Sequence, residues 1–329
     1  MNGEGTQASP YQVTTADEFI EAIAIADSYV KLMNDIDFNN SNYWNIKSIV
    51  TQYPYAFEFR CTYLDGQGFK ITNVYMNDIG SLFSIYLPRV STTDINNLVL
   101  EVIMINYNAN SCAIFQTKSK YTINLLNCDF RIKYSNIEDC PGCLISARPT
   151  YSTFNFINCI FNIDYYFYDN NNTTYLFYVD SSTPITTFKY CEFNINLKVN
   201  KSSFAGASNY LFRGKNEFYY CPIFINIYNN LEVSMTTIDS NLTTLVYTST
   251  YDYTNFYNSY IVIQSKGEYP CRIILSNMKC KSTCFYDKEL SGSLITNESS
   301  LSITNLHGLT TEQCKDASYL NSIGFFVAE

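Results

Sequence analysis

A stretch of about thirty residues recurs along the chain, and this repeat limits the possible folds more than any other feature. Its clearest copy is FNFINCIFNID at residues 154–164, with further copies at residues 123–133, 188–198 and 218–228. Aligned on the residue before a cysteine, the four copies are anchored at Asn127, Asn158, Tyr190 and Tyr220, 30 to 32 residues apart. Weaker copies are anchored at Asn73, Asn97, Asn258, Asn277 and Asn305. Such a period indicates a repeat architecture.

Alternate residues of each clear copy are apolar, which predicts a buried face. These residues are Leu126, Cys128, Phe130, Ile132, Ile157, Cys159, Phe161, Ile163, Cys191, Phe193, Ile195, Leu197, Cys221, Ile223, Ile225 and Ile227. The opposite set is mostly polar and includes Asp129, Arg131, Lys133, Asn162, Asp164, Glu192, Asn194 and Asn196. The pattern predicts an all-β parallel solenoid of about 30 residues per turn, whose turns bury their inner faces against one another. Leucine-rich spacing is absent, and a β-propeller requires longer, four-stranded units.

Each repeat is predicted to pair a first short strand with the strand that carries the anchor residue. The first strands lie at residues 81–85, 112–117, 143–147, 175–179, 210–214, 244–249 and 293–297. The anchor Asn is expected at a bend, because Asn tolerates the left-handed conformation. Stacked Asn amides should then hydrogen-bond along the axis. Where Tyr190 and Tyr220 replace Asn, stacked rings are expected to interrupt that ladder.

The two ends of the chain differ from the repeats and are predicted to be caps. Thr15 and Glu18 form a capping box that begins a helix over about residues 16–26, followed by a strand over residues 29–38 and a tight turn at residues 65–68. Thr310 or Thr311 begins a helix through about Tyr319, and Gly324 begins a last strand. We therefore divide the chain into a lead-in with capping helix and first strands (1–63), β-helix repeats (64–308) and a C-terminal cap (309–329). Caps prevent strand addition at the open ends.

Composition and charge limit the kinds of partner that the chain is expected to bind. A net charge of −9 without a basic run argues against nucleic-acid binding. No apolar run reaches the roughly 18 to 20 residues of a membrane helix, so no membrane insertion is expected. The opening MNGEGTQASPYQV has no signal-peptide features, which predicts a chain made in the cytosol; an exported chain that has lost its signal is the alternative.

Cysteine spacing favours packing over metal binding. Four of the twelve cysteines occupy the same repeat position, which predicts buried, reduced thiols rather than disulfides. The CxxC of Cys140 and Cys143 and the CxxxC of Cys280 and Cys284 have no second ligand pair of the kind that a zinc site needs. No metal or cofactor is therefore predicted.

Both ends also resemble a known family. The segments GEGT, SPYQVTTADEFIEAI, DIDF and LDGQGFKI resemble the opening of right-handed parallel β-helix proteins of the pectate-lyase-like superfamily. The closing LTTEQCKDASYLNSIGF resembles the tail segment that follows β-helix repeats in bacterial surface and phage proteins. The resemblance implies a right-handed β-helix and, for phage appendages, a homotrimer. Related folds serve as polysaccharide lyases and hydrolases, as phage tailspikes and virion appendages, and as adhesins.

Two sets of side chains are candidates for a site. Asp129 and Glu192 are the least unfavourable catalytic residues, because they face outward two turns apart, at about 9.6 Å. This separation is at the wide edge of the roughly 6.5 to 9.5 Å of an inverting glycosidase pair, and Ile160 lies between them, so two solvated charges are the favoured interpretation. The sole His307 has no catalytic partner in sequence. Candidate sugar- or protein-binding residues are Tyr165, Tyr166, Tyr168, Tyr251, Tyr253 and Tyr257; packing over the solenoid or at an oligomer interface is the alternative.

The favoured hypothesis is a non-enzymatic structural protein of a phage virion, in its tail, head or an appendage, assembled in the host cytoplasm. Its expected partners are other virion proteins and, as a receptor, host-surface polysaccharide. The alternatives are a polysaccharide lyase or hydrolase of tailspike type, and a bacterial adhesin on the cell surface or secreted.

Overall fold

Each repeat forms one coil of a solenoid, built from three short strands separated by bends. The computed structural model describes residues 1–40, 57–77, 81–87, 89–105, 112–117, 119–135, 142–147, 152–167, 174–179, 185–199, 209–229, 243–247, 253–267, 273–274, 278–291, 295–296 and 305–325. Within these residues the strands stack into three sheets, A, B and C, of ten, ten and nine strands, and neighbouring strands are parallel. The parallel β-helix that the sequence predicts is confirmed.

The strands are numbered in chain order. Sheet A contains β1 Tyr11–Val13, β2 Tyr29–Leu32, β5 Tyr63–Asp65, β8 Thr92–Asn96, β11 Thr122–Leu126, β14 Thr153–Ile157, β17 Thr186–Lys189, β20 Lys215–Tyr219, β23 Tyr253–Tyr257 and β26 Met278–Cys280. Sheet B contains β3 Ile36–Asp37, β6 Lys70–Asn77, β9 Val99–Ile105, β12 Asp129–Ser135, β15 Ile160–Phe167, β18 Glu192–Val199, β21 Pro222–Asn229, β24 Tyr260–Gly267, β27 Cys284–Asp287 and β29 Leu306–Leu309. Sheet C contains β4 Phe57–Phe59, β7 Ser81–Ile85, β10 Cys112–Thr117, β13 Gly142–Ala147, β16 Thr174–Val179, β19 Asn209–Arg213, β22 Thr243–Tyr247, β25 Ile273–Ile274 and β28 Ile295–Thr296.

The predicted anchor strand is two strands, joined at the anchor residue. The anchors Asn73, Asn97, Asn127, Asn158, Tyr190, Tyr220, Asn258 and Asn305 all have positive φ, between 46° and 73°. At Asn97, Asn127, Asn158, Tyr190, Tyr220 and Asn258 this left-handed residue lies between a sheet A strand and a sheet B strand, at the bend that the sequence predicts. Asn73 lies instead inside β6, where the register with β9 shifts. Asn277 lies outside the described residues.

The bend also shifts the alternation of side chains by one position. Phe154 and Phe156 are buried before the bend and Cys159 and Phe161 after it, whereas Ile157 is only partly covered. The prediction that Ile157 and its equivalent Leu126 face the core is therefore wrong, because a regular period of two does not continue through a left-handed residue. The other predicted core residues are buried, except Ile227, whose side chain is outside the described part.

Stacked rings and thiols fill the interior. Phe130, Phe161 and Phe193 lie on three successive coils with ring centroids 5.4 and 4.7 Å apart. Burial of each ring contributes about 1.5–3 kcal/mol. Cys159 donates its thiol hydrogen to the carbonyl oxygen of Leu125 at 3.2 Å. The cysteines whose side chains are described are free thiols, in agreement with the prediction.

The N-terminal cap is α1, Ala16–Ala24, two residues shorter than predicted. The hydroxyl of Thr15 accepts a hydrogen bond from the backbone N–H of Glu18 at 3.2 Å. The carboxylate of Glu18 reaches past Thr15 and accepts from the N–H and hydroxyl of Thr14, both at 2.8 Å, so only half of the predicted capping box forms. The strand predicted over residues 29–38 is broken into β2 and β3 and ends in a 3₁₀ turn, Phe38–Asn40.

Three short helices lie at the C-terminal end: α2 Lys288–Ser291, α3 Thr311–Lys315 and α4 Ala317–Ser322. In the structure we use the term C-terminal cap for residues 287–291 together with residues 309–325. Thr310 and Gln313 form a complete capping box at α3. The single helix predicted through Tyr319 is interrupted at Asp316, whose carboxylate caps α4. Gly324 lies in a turn with φ of 84°, and the strand predicted beyond it falls mainly on residues 326–329, outside the described residues.

Candidate functional site: a groove at the C-terminal cap

A groove of about 480 Å³ lies where the outer face of sheet B meets the C-terminal helices. We call it the cap groove. Sheet B lines it with Asn194, Phe224, Asn226, Tyr260 and Gln264. The cap lines it with Asp287, Thr311, Cys314 and Lys315.

Strand register brings the floor residues together from three successive coils. Asn194 on β18 pairs with Phe224 on β21, and Asn226 on β21 pairs with Gln264 on β24. Their neighbours in sequence, such as Ile225, are buried in the core. Alternation therefore directs the amides and Phe224 outward.

Tyr260 forms an aromatic wall that belongs to both the sheet and the cap. Its ring lies edge-to-face with Phe224, with centroids 5.4 Å apart, and parallel to Phe285 at 5.0 Å. Phe325 from the cap packs its ring against Tyr260 at 6.4 Å. Burial, followed by the negative charge of Glu192, raises the pKa of Tyr260 to about 12, so the phenol stays neutral.

Asp287 fixes the opposite wall. Its side chain is buried, with its residue only 2% exposed, and one carboxylate oxygen accepts the N–H groups of Glu289 at 3.0 Å and Leu290 at 2.9 Å. The other oxygen accepts the hydroxyl of Thr311 at 2.8 Å. The N–H of Thr311 in turn donates to the carboxylate of Glu289 at 2.8 Å. These bonds hold α2 and α3 against the end of β27, so the groove is preformed.

The floor amides are the ends of hydrogen-bonded chains along sheet B. Asn194 donates to the side-chain oxygen of Asn162, and Asn162 donates to Asp129, each at 3.1 Å. Asn226 donates to Asn196 at 3.0 Å, and Asn196 donates to Asp164 at 2.8 Å. We call such a chain an amide ladder.

The structure places Asp129 and Glu192 in one outward column with Ile160 between them, as predicted. Ile160 is 40% exposed. Asp129 accepts from two nitrogens of Arg131, at 2.9 and 2.7 Å, and this contact raises the pKa of the guanidinium. Glu192 accepts from the amide of Asn194 at 2.8 Å. Both carboxylates are thus bonded to neighbours, and a catalytic role for the pair stays a prediction.

The predicted binding tyrosines are not brought together in one described site. Tyr165 is 5% exposed, so its ring belongs to the interior. Tyr257 is half-buried and stacks on Tyr219, with centroids 4.4 Å apart. The side chains of Tyr166 and Tyr253 and the whole of Tyr168 and Tyr251 lie outside the described part, so binding there stays a prediction.

Tyr190 and Tyr220 carry exposed aromatic rings at their bends, 51% and 37% exposed. Their centroids lie 5.2 Å apart at an angle of 21°, which confirms the predicted ring stack. Among the described residues, His307 is exposed on β29, and no group of three or more His, Cys, Asp or Glu is arranged to hold a metal ion.

Sequence reasoning missed the cap groove. The outward positions of Asn194 and Asn226 follow from alternation and were available as a signal. The sequence gives no such signal for the docking of α2 and α3 beside them, because that docking depends on bonds between residues that are 22 to 24 positions apart.

No protein-family model matches the chain, and no curated protein matches it either. A solved structure that resembles it is a candidate immunoglobulin A1 protease from Bacteroides ovatus, with 13% sequence identity and a TM-score of 0.41 over 97% of this chain and 89% of that one. A likeness this weak supports no inference about activity. In the described part of the chain, no helix has the length and apolar character needed to cross a membrane.

Proposed function

We propose that the protein is a non-enzymatic β-helix component of a phage virion, in its tail, head or an appendage, and that it attaches to host-surface saccharides through the cap groove. The observation that carries the binding part is the pairing of an aromatic wall, Tyr260 with Phe224, with an amide floor, Asn194 with Asn226, in one preformed groove. Aromatic rings cover the apolar faces of sugars, and amides bond their hydroxyl groups.

The hydrogen bonds that the carboxylates near the groove accept within the fold favour binding over cleavage. Asp287 accepts three hydrogen bonds from the cap, and Glu192 accepts one from Asn194. General acid or base catalysis requires a carboxyl that can reach a substrate oxygen. Here the carboxylates beside the groove hold the cap and the floor in place.

The virion part rests on the sequence. Both ends of the chain resemble β-helix proteins that include phage appendages, and reduced thiols fit assembly in a cytosol before release. A trimer, partners among virion proteins and host-surface polysaccharide as receptor belong to the same proposal.

Binding is tested on a printed oligosaccharide array, followed by calorimetry with each member that is bound. Replacing Tyr260 by Ala removes the aromatic wall and should weaken binding about tenfold, since a ring contact is worth about 1–1.5 kcal/mol. Tyr29→Ala is the matched control, because Tyr29 stacks on Tyr63 on sheet A near the N-terminal cap, away from the groove. Gln264→Ala is a second groove variant that leaves the Tyr260–Phe285 packing intact. Binding that survives both groove variants contradicts the proposal.

The location is tested by mass spectrometry of density-purified virions from the organism that encodes the chain. Peptides of the protein should copurify with the particles after a high-salt wash. Recovery in the bacterial envelope fraction alone would favour the adhesin alternative.

A further inference from the structure

Among the described residues, the amide ladders all run in the same direction. Each begins at an Asp on its N-terminal coil, and each Asn donates its side-chain N–H toward that Asp or toward the Asn before it. The ladders are Asp37–Asn73, Asp65–Asn97–Asn127–Asn158, Asp94–Asn124–Asn155, Asp129–Asn162–Asn194 and Asp164–Asn196–Asn226, with donor–acceptor distances from 2.7 to 3.1 Å.

The Asp at the base forces this direction. An ionised carboxylate can only accept hydrogen bonds, so the first Asn must turn its NH₂ group toward it. The carbonyl oxygen of that Asn then points to the next coil, where it can only receive an N–H. Every later Asn is oriented in the same way, and the last one directs its oxygen toward the C-terminal end.

Two of the five ladders end in the cap groove. Asn194 uses both N–H bonds of its amide, one to Asn162 at 3.1 Å and one to Glu192 at 2.8 Å, so only its oxygen remains for a ligand. Asn226 donates to Asn196 and likewise directs its oxygen away from the ladder. At these two positions the floor of the groove therefore presents side-chain oxygens as hydrogen-bond acceptors.

Negatively charged side chains act on both walls of the groove. Glu192 contributes to the raised pKa of Tyr260, and Asp287 and Glu289, after burial, contribute to raising the pKa of Cys314 to about 11. Lys315 is the cation that lines the groove. Two separate groups on opposite walls thus experience negative potential.

We propose that the cap groove binds uncharged saccharides rich in hydroxyl and N–H donors, and that it rejects saccharides that carry carboxylate or sulfate groups. This inference rests on the proposed saccharide binding and specifies its ligand class. A carboxylate or sulfate group has no hydrogen to donate to the side-chain oxygens of Asn194 and Asn226. Its negative charge would also be repelled by Asp287.

The test uses an array with equal numbers of uncharged oligosaccharides and of oligosaccharides that carry uronate, sialate or sulfate groups. Binding should be confined to the uncharged members. Asp164→Asn replaces the acceptor that orients the Asn226 ladder, so that Asn226 can turn its NH₂ outward. This variant should reduce discrimination against acidic members about two- to fivefold. Asp94→Asn makes the same change at the base of a ladder on sheet A that does not reach the groove, and should leave discrimination unchanged.

The outcomes separate this inference from the function on which it rests. Binding of acidic members that Tyr260→Ala weakens would overturn the ligand class while leaving saccharide binding intact. Equal discrimination by wild type and Asp164→Asn would overturn the role of ladder direction. An array without any bound member would overturn both proposals.

Discussion

The bend residue has a conformation that most side chains disfavour. A left-handed residue other than Gly costs about 1–2 kcal/mol, and Asn tolerates it best. At Asn73, Asn97, Asn127 and Asn158 the side-chain amide also belongs to a ladder. Tyr190 and Tyr220 have the same φ, 56° and 55°, without that amide, and their stacked rings offset part of the strain.

The stability cost of a substitution at Tyr190 should therefore depend on how well the new residue tolerates positive φ more than on its size. We expect Tyr190→Asn to change the free energy of unfolding by less than about 0.5 kcal/mol, since the new amide can donate to the free oxygen of Asn158 while the ring stack is lost. We expect Tyr190→Val to cost about 1–2 kcal/mol, because a β-branched residue is strained at positive φ. Lys189→Val, one residue earlier in regular strand geometry, is the control. Urea unfolding measures the three values, and equal costs for the two valine variants would contradict the conformational explanation.

Because of its buried thiols, the fold is expected to lose stability as the pH becomes alkaline. Burial raises the pKa of the Cys61 and Cys191 thiols in the folded chain, and in Cys191 contacts with Cys159 and Cys221 add to the effect. A group with a raised pKa stabilises the fold below its unfolded pKa, about 8.5 for Cys, and this contribution is lost as the pH rises above that value.

We therefore expect the urea midpoint to fall between about pH 8 and about pH 10. The fall should be smaller in Cys191→Ala, which has one titrating thiol fewer, even though that variant is less stable at neutral pH. A midpoint that is constant over this range, or a fall that is the same in both proteins, would show that the thiols do not titrate with unfolding.

At the scale of elements, strand positions could be predicted and their grouping into sheets could not. The first strands stand where the apolar runs predict them, for example β7 at Ser81–Ile85 and β10 at Cys112–Thr117. The anchor strand was predicted as one element, because a period of two gives no sign that Asn158 reverses its phase. The left-handed φ could be anticipated at Asn, but its effect on alternation required the structure.

The C-terminal cap depends on the side chain of Asp287. Asp287→Ala removes three acceptor contacts to Glu289, Leu290 and Thr311, and we expect it to lower the free energy of unfolding by about 2–3 kcal/mol. Loosening α2 and α3 would also expose the terminal strands of sheet B to other chains, so oligomers should increase. Denaturant unfolding and sedimentation velocity measure the two effects.

Asp316→Ala is the matched control for the cap. It removes only the exposed N-cap of α4 and should cost about 1 kcal/mol without promoting oligomers. If Asp287→Ala behaves like this control, then Asp287 does not hold the cap.

At the scale of the whole molecule, the repeat made the architecture predictable and left the site hidden. Columns of apolar residues at a constant period permit little other than stacked coils, and the Phe130, Phe161 and Phe193 stack follows directly. The cap groove arises where that regularity ends, at contacts between β24, β27 and the helices. Such contacts do not recur at a regular spacing in the sequence, and nothing in the sequence distinguishes Tyr260 from the other aromatic residues of the repeats.

Whether saccharides are held without being cleaved is decided by the mass of a bound oligosaccharide. The protein is incubated overnight with the oligosaccharide that it binds most tightly on the array, and the bound and free fractions are analysed by mass spectrometry. The structure predicts that both fractions keep the starting mass, because the carboxylates near the groove are bonded within the fold. Shorter products that disappear in Tyr260→Ala would contradict the account and would mark the protein as an enzyme.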